Sequence, residues 1–378
     1  MSVIPVPLET VTHMTRNSCN NARIASGAGF KRLLLFTGLF LLLTAAGVYA
    51  VYGAVAGHAF AFDARLLSWK VLAPVIALLL VYFLADGLRL HYTLKALGQV
   101  LPLALIFRLV FVNIFFSNVT PLATGGGFAQ IWFLQRKGVP LGTATAAATV
   151  RTLLAIVFIF SAAPLVLLLF VPDELYTPGR ATLLPLGIFI ALYIVFFFIL
   201  LFRTRWLLTP ICTVLDAMLR WQMIGTARHL RWQFGSKREM LRFAQGFRKY
   251  LMGNVRHVLL SVFYTILFLF SLFSFPALLL WGLDYDVAYL RTVGLTALTT
   301  FVMYFSPTPG AAGIAEGVFG KLFAGVVDAR HLVLVTLAWR FLTIHTGMLV
   351  GAAATHHELT RGGDTACPHA NASRSSSI

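Results

Sequence analysis

Two arginines lie inside long apolar runs of the sequence, where a charged side chain is costly. Arg151 stands between two apolar stretches, and Arg340 stands inside the apolar run 332–354. Charges in such runs are rare in membrane proteins and usually serve binding or transport. Because a guanidinium suits bidentate binding of phosphate, each arginine predicts one of two arrangements. Either it meets an anionic partner such as Glu316 or a lipid phosphate, or it forms a structural ion pair between helices.

Two Pro- and Gly-rich segments precede these arginines and share one pattern. Each reads Pro, five residues, Gly, an apolar residue, Ala and then Gln or Glu, from Pro121 to Gln130 and from Pro307 to Glu316. Each segment is followed by one of the two arginines, so motif and order together predict an internal duplication. Glu316 can bind a cationic headgroup, carry a proton or pair with Arg340. Its counterpart Gln130 is neutral, so the two half-sites are predicted to differ in charge.

The Pro and Gly residues of both segments predict breaks in two helices. Pro removes a backbone donor and Gly weakens a helix, and unpaired backbone is tolerated at membrane depth only where protein or a wet cavity satisfies it. Each segment is therefore predicted to form a re-entrant hairpin that gates a cavity, and paired breaks favour a transporter site between inverted repeats. The alternative is a pair of kinked, full-length helices. The predicted hairpin residues are Pro121, Gly125, Gly126, Gly127, Pro307, Pro309, Gly310 and Gly313.

Other polar residues near these breaks complete the predicted binding site. Amides and hydroxyls at the hairpin tips can hydrogen-bond a ligand or cap the broken helix ends. Asp86 and Arg89 lie near the end of an apolar run, and their i,i+3 spacing predicts an interfacial ion pair or a ligand site. The predicted substrate-binding residues are Arg151, Arg340, Glu316, Gln130, Asn113, Thr120 and Thr308.

The composition places these residues in an all-α, polytopic membrane helix bundle. Of 378 residues, 59% are hydrophobic and only 11% are charged, against about 25% charged in ordinary soluble domains. This excludes a soluble enzyme, a disordered protein and a nucleic-acid-binding module, so no nucleic-acid partner is expected. A membrane-spanning helix needs about 20 apolar residues. About six full spans are predicted, at 33–56, 71–90, 141–171, 181–202, 258–281 and 332–354, and the stretches 101–120 and 289–306 lead into the two hairpins.

The distribution of charge predicts the orientation of the chain in the inner (cytoplasmic) membrane of the cell. The tail 1–32 is basic, and the loop 203–257 holds eleven basic residues against two acidic ones. Both are expected on the cytoplasmic side by the positive-inside rule. The Ser-rich tail 355–378 is predicted to be disordered and cytoplasmic. Apolar residues recur at helical spacing in the basic loop, which predicts either helices lying on anionic inner-leaflet headgroups or an ordinary cytoplasmic helical hairpin.

Local patterns typical of catalysis are absent from the sequence. The His-His-Glu run at 356–358 lacks the His-Glu-x-x-His spacing of zinc enzymes, and the three cysteines are too widely spaced for a metal site or a disulfide framework. No Gly-x4-Gly-Lys-Ser/Thr phosphate loop occurs. The sequence therefore predicts no catalytic residue, no metal and no cofactor, and favours a transporter over an enzyme.

The two segments resemble the signatures of a known family. The run Asn-Val-Thr-Pro-Leu-Ala-Thr-Gly-Gly at 118–126 resembles the first signature of the lysylphosphatidylglycerol synthase transmembrane region family, which includes flippase-like membrane proteins. The run Pro-Thr-Pro-Gly at 307–310, with Gly313 and Glu316, resembles its second signature, Pro-Thr-Pro-Gly-Gly-x-Gly-x-x-Glu. Two residues depart from the pattern. Ala311 replaces the usual second Gly, and Val150 stands where many relatives have Glu before the intramembrane Arg.

This resemblance extends over most of the chain, from about 33 to 354, and Arg151 and Arg340 match the family's intramembrane arginines. It implies a flippase-like transmembrane domain that translocates a phospholipid, aminoacylated or not, or a polyprenyl-linked lipid. In two-part members a fused cytoplasmic domain makes the lipid, but only a short tail follows residue 354 here, so we expect no aminoacyl-transfer domain.

Membrane lipids are the expected partners, and a lipid-modifying enzyme and a second copy of the chain stay open as further ones. Two alternative functions also stay open. One is an integral-membrane transferase, or an accessory protein to one, acting on a lipid carrier. The other is a secondary transporter of small solutes.

Overall fold

The computed structural model describes residues 63–170, 226–286, 288–324 and 326–364, together with the single helical positions 38, 42, 45, 49, 188 and 192. The predicted spans 33–56 and 181–202, apart from these single positions, lie outside the described residues. So do the tail 1–32, the first part of the basic loop, the end of the C-terminal tail and all three cysteines.

Helices joined by short turns make up the described part of the chain, which contains no strand. Four stretches are long and apolar enough to cross a membrane: Trp69–Ala96, Leu141–Val166, Val255–Gly282 and His331–Glu358. They confirm the predicted spans 71–90, 141–171, 258–281 and 332–354. In chain order the helices are α1 Trp69–Ala96, α2 Leu103–Val119, α3 Thr124–Arg136, α4 Leu141–Phe170, α5 Thr226–Met252, α6 Val255–Gly282, α7 Tyr289–Met303, α8 Ile314–Phe323, α9 Ala329–Arg340 and α10 Thr346–Asp364.

Two helical hairpins replace full-length spans at the two broken segments. The arms α2 and α3 pack against each other, as do α7 and α8. The arms have 17, 13, 15 and 10 residues, fewer than the 20 or so that a span requires. The chain therefore turns back at each break, as the hairpin interpretation predicts, and the two turns, Pro121–Ala123 and Pro309–Ala311, pack against each other.

Both hairpin tips have the same backbone conformation. Each is a single 3₁₀ turn of three residues, in which Pro comes first and the second and third residues have positive φ. These residues are Leu122 (55°) and Ala123 (53°) in the first tip, and Gly310 (57°) and Ala311 (54°) in the second. By backbone conformation Pro121 corresponds to Pro309, whereas the sequence pattern aligned Pro121 with Pro307. The pattern was wrong by two residues because it followed residue types and not the turn itself.

The hydrophobic core divides into two halves along the bundle. One half packs the first hairpin with the C-terminal part of α1, the start of α4 and the helix α5. The other packs the second hairpin with the N-terminal part of α1 and the C-terminal parts of α4 and α6. The halves meet at residues 85–90 of α1, at 150–155 of α4 and at 339–344, from the end of α9 into the turn that follows it. These three segments hold Asp86, Arg89, Arg151 and Arg340, so the buried charges lie at mid-depth in the bundle.

The placement of Asp86 and Arg89 corrects one prediction. They were expected near the end of a span, but α1 continues to Ala96, and Leu90 and Leu94 beyond them are fully buried. Asp86 is 1% exposed and Arg89 6%. Their pair therefore belongs to the interior of the bundle and not to its interface.

The helix α5 forms the second part of the basic loop, and part of its apolar face is covered by protein. Phe243, Phe247 and Tyr250 are buried in the half that contains the first hairpin, and α5 packs along α4. Gly142 allows this approach, since a Cβ there would lie 2.1 Å from the carbonyl oxygen of Glu239. This part of the apolar face therefore contacts α4 rather than lipid. The binding of anionic headgroups by the basic face stays a prediction.

Candidate functional site

The first buried cluster consists of one carboxylate and two guanidinium groups. Asp86 Oδ1 accepts a hydrogen bond from Arg89 Nε at 2.5 Å, and Arg151 Nη2 donates to both carboxylate oxygens of Asp86, at 2.6 and 2.8 Å. Arg89 also stacks on the ring of Phe268, with Cζ 3.8 Å from the ring centroid, which favours a cation through the quadrupole of the ring. Two cations and one anion leave the cluster with a net charge of +1.

The first hairpin reaches this cluster through two amides. Arg151 Nη1 donates to Gln130 Oε1 at 2.9 Å. With its amide oriented to satisfy its neighbours, Asn113 donates to the Gly126 carbonyl oxygen at 2.9 Å and accepts from Arg151 Nη1 at 3.0 Å. The predicted site residues Gln130, Asn113 and Arg151 are thus brought together, on α3, α2 and α4.

Several donors in this first cluster have no hydrogen-bond partner among the residues that the structure describes. They are Arg89 Nη1, Arg151 Nε and Gln130 Nε2, all buried. A buried donor without a partner costs about 1–3 kcal/mol, and more when it is charged. Excess positive charge and unused donors in one place are the chemistry that binds an anion such as a phosphate.

The second buried cluster pairs Glu316 with Arg340. Arg340 Nε donates to Glu316 Oε1 at 2.8 Å, and Glu316 Oε2 accepts from the backbone nitrogen of Gly313 at 2.7 Å. Arg340 Nη2 donates to the carbonyl oxygen of Gly310 at 2.8 Å, which fastens α9 to the tip of the second hairpin. Of the roles predicted for Glu316, the structure forms the ion pair with Arg340. This cluster is electrically neutral, so the two half-sites differ in charge.

A distortion of the last span follows Arg340 directly. Residues Phe341–His345 form a π-helical turn, and His345 Nδ1 lies 3.1 Å from the carbonyl oxygen of Arg340. Such turns are frequent at functional sites, because they shift the side chains around them. Arg340 Nη1 and Trp339 Nε1 are buried and have no hydrogen-bond partner in the described part of the chain, so this cluster also keeps unused donors.

The remaining predicted residues build the hairpin tips. Thr120 Oγ1 donates to the Phe116 carbonyl oxygen at 2.7 Å and accepts from the backbone nitrogen of Gly125 at 2.8 Å. Thr308 Oγ1 donates to the Ala312 carbonyl oxygen at 2.9 Å. Thr120 therefore caps the broken helix ends of α2 and α3, which was the structural alternative to ligand binding, and Thr308 closes the turn of the second tip.

At three positions of the tips, the surrounding atoms or the backbone conformation require glycine. A Cβ on Gly126 would lie 1.8 Å from Ser117 Oγ, and one on Gly125 would lie 2.5 Å from a carbon of Thr120. Gly313 has a φ of +85°, which glycine adopts without strain. Gly127 is different, because a Cβ there would meet nothing within 4 Å. Pro121 and Pro309 begin the two turns, and Pro307 is exposed.

The sequence analysis did not identify Asp86 as the ion-pair partner of Arg151. The two residues are 65 positions apart, and sequence spacing linked Asp86 only to Arg89. One signal was available, because a carboxylate inside an apolar run needs a cation just as a buried arginine needs an anion. Among the described residues, no group of three side chains of the metal-ligating types lies close enough together to hold a metal ion.

Comparison with known proteins shows the family. The family model described as lysylphosphatidylglycerol synthase TM region matches residues 34–351, so the chain belongs to this family of membrane proteins. The chain is also similar to a UPF0104 membrane protein of Archaeoglobus fulgidus, with 24% identity over 299 residues that cover 78% of this chain and 88% of that relative. Together with the four spans, this identifies a multi-pass membrane protein with a lipid-related role. The inner membrane and the orientation of the termini stay predictions.

Proposed function

We propose that this member of the family is a lipid flippase-like transporter that moves a phospholipid or a polyprenyl-linked lipid across the membrane. One observation supports this most strongly. The Asp86–Arg89–Arg151 cluster lies at mid-depth with a net charge of +1, and its buried donors have no partner within the described ranges. A lipid phosphate supplies the missing charge and the missing acceptors, and does so at the depth that a headgroup must pass.

The two hairpins give this site a means of opening. Their tips pack against each other, and each hairpin holds one of the two arginines, through Gln130 in the first half and through Glu316 and Gly310 in the second. Movement of one tip away from the other would expose one half of the bundle at a time, as expected for alternating access between repeats. In this scheme the neutral Glu316–Arg340 pair selects for the headgroup or carries a coupling proton.

The test is lipid exchange between leaflets of liposomes that contain the purified protein. A headgroup-labelled phosphatidylglycerol is followed with the wild type, Arg151→Ala, Arg340→Ala and the double variant. Arg256→Gln serves as the control, because Arg256 is an exposed arginine at the start of α6. We expect the arginine variants of the site to lose exchange and the control to keep it, with size-exclusion profiles showing that all variants are folded.

The outcomes separate the proposal from its rivals. Full exchange in both Arg151→Ala and Arg340→Ala contradicts the assignment of the site. Product formation from a lipid carrier and a donor by the purified protein, without exchange, favours a transferase. Substrate-dependent flux of protons or sodium without lipid movement favours a solute transporter.

A further inference from the structure

An apolar groove lies on the bundle between α4, α6 and α7. Its volume is about 550 Å³, and its lining is apolar except for Ser161 and Thr265. Thr265 Oγ1 already donates to the carbonyl oxygen of Ser261 at 2.7 Å. Because the rest of the lining is apolar, the groove favours an apolar occupant over ordered water, which needs two to four polar partners.

The groove is elongated along α4. On α4 its lining runs from Leu154 to Val166, about 18 Å at 1.5 Å per residue. The side chains along the groove, such as Phe270 (40% exposed) and Leu290 (63%), leave it open at the side of the part of the bundle that the structure describes.

The groove continues the same stripe of α4 that carries Arg151. Positions 151, 154, 158, 162 and 165 recur at the 3.6-residue period and lie on one helix face, and the last four line the groove. Leu154 is one turn from Arg151. A cationic, donor-rich cluster and an apolar groove therefore follow each other along one helix, which is the arrangement that complements an anionic amphiphile.

From this arrangement we infer that the groove binds one hydrocarbon chain of the same lipid whose phosphate lies at Arg151. The inference rests on the proposed function and narrows its substrate to a lipid that enters head and tail together. The phosphate meets Arg151 and Arg89, and the chain extends along α4 toward Leu165. A water-soluble phosphate would use only the cluster.

Photo-crosslinking tests this inference. The protein is reconstituted in phosphatidylcholine liposomes with a trace of phosphatidylglycerol that bears a diazirine on one acyl chain, and the adducts are mapped by mass spectrometry. We expect adducts on the groove lining of α4, α6 and α7. Ala162→Phe fills the groove, so labelling should fall about tenfold, the effect of about two buried methylenes. Ala77→Phe, the same change at an exposed position of α1, should label as the wild type does.

A second comparison tests whether the head and the chain are bound together. Arg151→Gln should lower labelling by the phospholipid, while a long-chain alcohol with the same diazirine and no phosphate should label both proteins equally. The inference is overturned by equal phospholipid labelling of the wild type and Arg151→Gln, or of the wild type and Ala162→Phe. Absence of adducts from the groove lining, with or without adducts on residues 181–202, overturns it as well.

Leaflet exchange, measured in parallel, separates the two proposals. The expected labelling pattern without lipid exchange would support the chain-binding groove and contradict the transport function. Lipid exchange that is lost in Arg151→Gln but kept in Ala162→Phe would support the transport function and contradict the chain-binding groove.

Discussion

Arg151 Nη2 lies 2.6 Å from one carboxylate oxygen of Asp86 and 2.8 Å from the other. This contact joins the middle of α1 to the middle of α4, at the level where the two halves of the core meet. Asp86 also binds Arg89, so one carboxylate compensates two buried cations. The stability of this region and its capacity for an anion therefore depend on the same residue.

Asp86→Asn is expected to lower the free energy of unfolding by about 3–5 kcal/mol, because it leaves two buried guanidinium groups without a counter-charge. The measurement is thermal or chemical unfolding of the purified protein in detergent. Asp86→Asn/Arg89→Gln returns the cluster to a net charge of +1 and should recover part of the loss. An Asp86→Asn protein as stable as the wild type would contradict the ion pair.

Arg340→Gln is expected to destabilise the protein more than the double variant Glu316→Gln/Arg340→Gln does. The single change leaves Glu316, which is fully buried, without its cation, at a cost of about 3–5 kcal/mol. The double change removes both charges and keeps an acceptor for the backbone nitrogen of Gly313. A double-mutant cycle measures the coupling, and a coupling energy near zero would show that the pair does not form.

Ala311→Gly is expected to stabilise the protein by about 1 kcal/mol. Ala311 has a φ of 54°, a left-handed conformation that is strained for a residue with a Cβ and not for glycine. Gly313→Ala is the matched change in the opposite direction. The added Cβ would meet nothing within 4 Å, but Gly313 has a φ of +85°, which is strained for alanine. This variant should therefore be less stable than the wild type. Unfolding measurements in which both changes shift stability in the same direction would contradict the conformation of the tip.

Gly142→Ala is expected to destabilise the contact between α4 and α5 by about 1–3 kcal/mol, the usual cost of overpacking. A Cβ there would lie 2.1 Å from the backbone oxygen of Glu239 and 2.8 Å from the backbone nitrogen of Phe243, and neither can move aside like a flexible side chain. Gly235→Ala in α5 is the control, because a Cβ there meets nothing within 4 Å and alanine favours the helix. Equal stability of the two variants would contradict this packing.

Asp63 is expected to make stability depend on pH in the acid range. Arg65 donates through its side chain and its backbone to Asp63, and these hydrogen bonds lower the pKa of Asp63 from 3.8 to about 2. Because the folded pKa lies below the unfolded one, the stabilisation is complete above about pH 4 and is lost as the pH falls toward 2. Asp63→Asn should be less stable than the wild type at pH 5, with the difference disappearing near pH 2. A difference that does not change with pH would contradict the ion pair.

Much of the architecture could be predicted from local sequence. Long apolar runs predict membrane spans, because the hydrocarbon core of a bilayer accepts mainly apolar side chains over about 20 residues. Four spans lie where they were predicted. The two hairpins followed from Pro and Gly, whose effect on a helix is a property of the residue itself. The pairing of Gln130 with Arg151 and of Glu316 with Arg340 agrees with the repeated order of motif and arginine. Their roles in binding a substrate stay predictions.

Other features depend on which helices pack together. The partner of Arg151 is Asp86, 65 residues away, and no periodicity connects the two. The covering of the apolar face of α5 by α4 depends on the close approach at Gly142. The correspondence of Pro121 with Pro309 became visible only in the backbone angles of the tips.

The sequence by itself determined the class of the protein, four of its spans, its two broken helices and the buried arginines, because each depends on the solvation and flexibility of neighbouring residues. Only the tertiary structure decided which acid neutralises which arginine, how the two tips meet and where donors remain unpaired. Those features depend on the distances between side chains on different helices, and such distances exist only once the helices have packed.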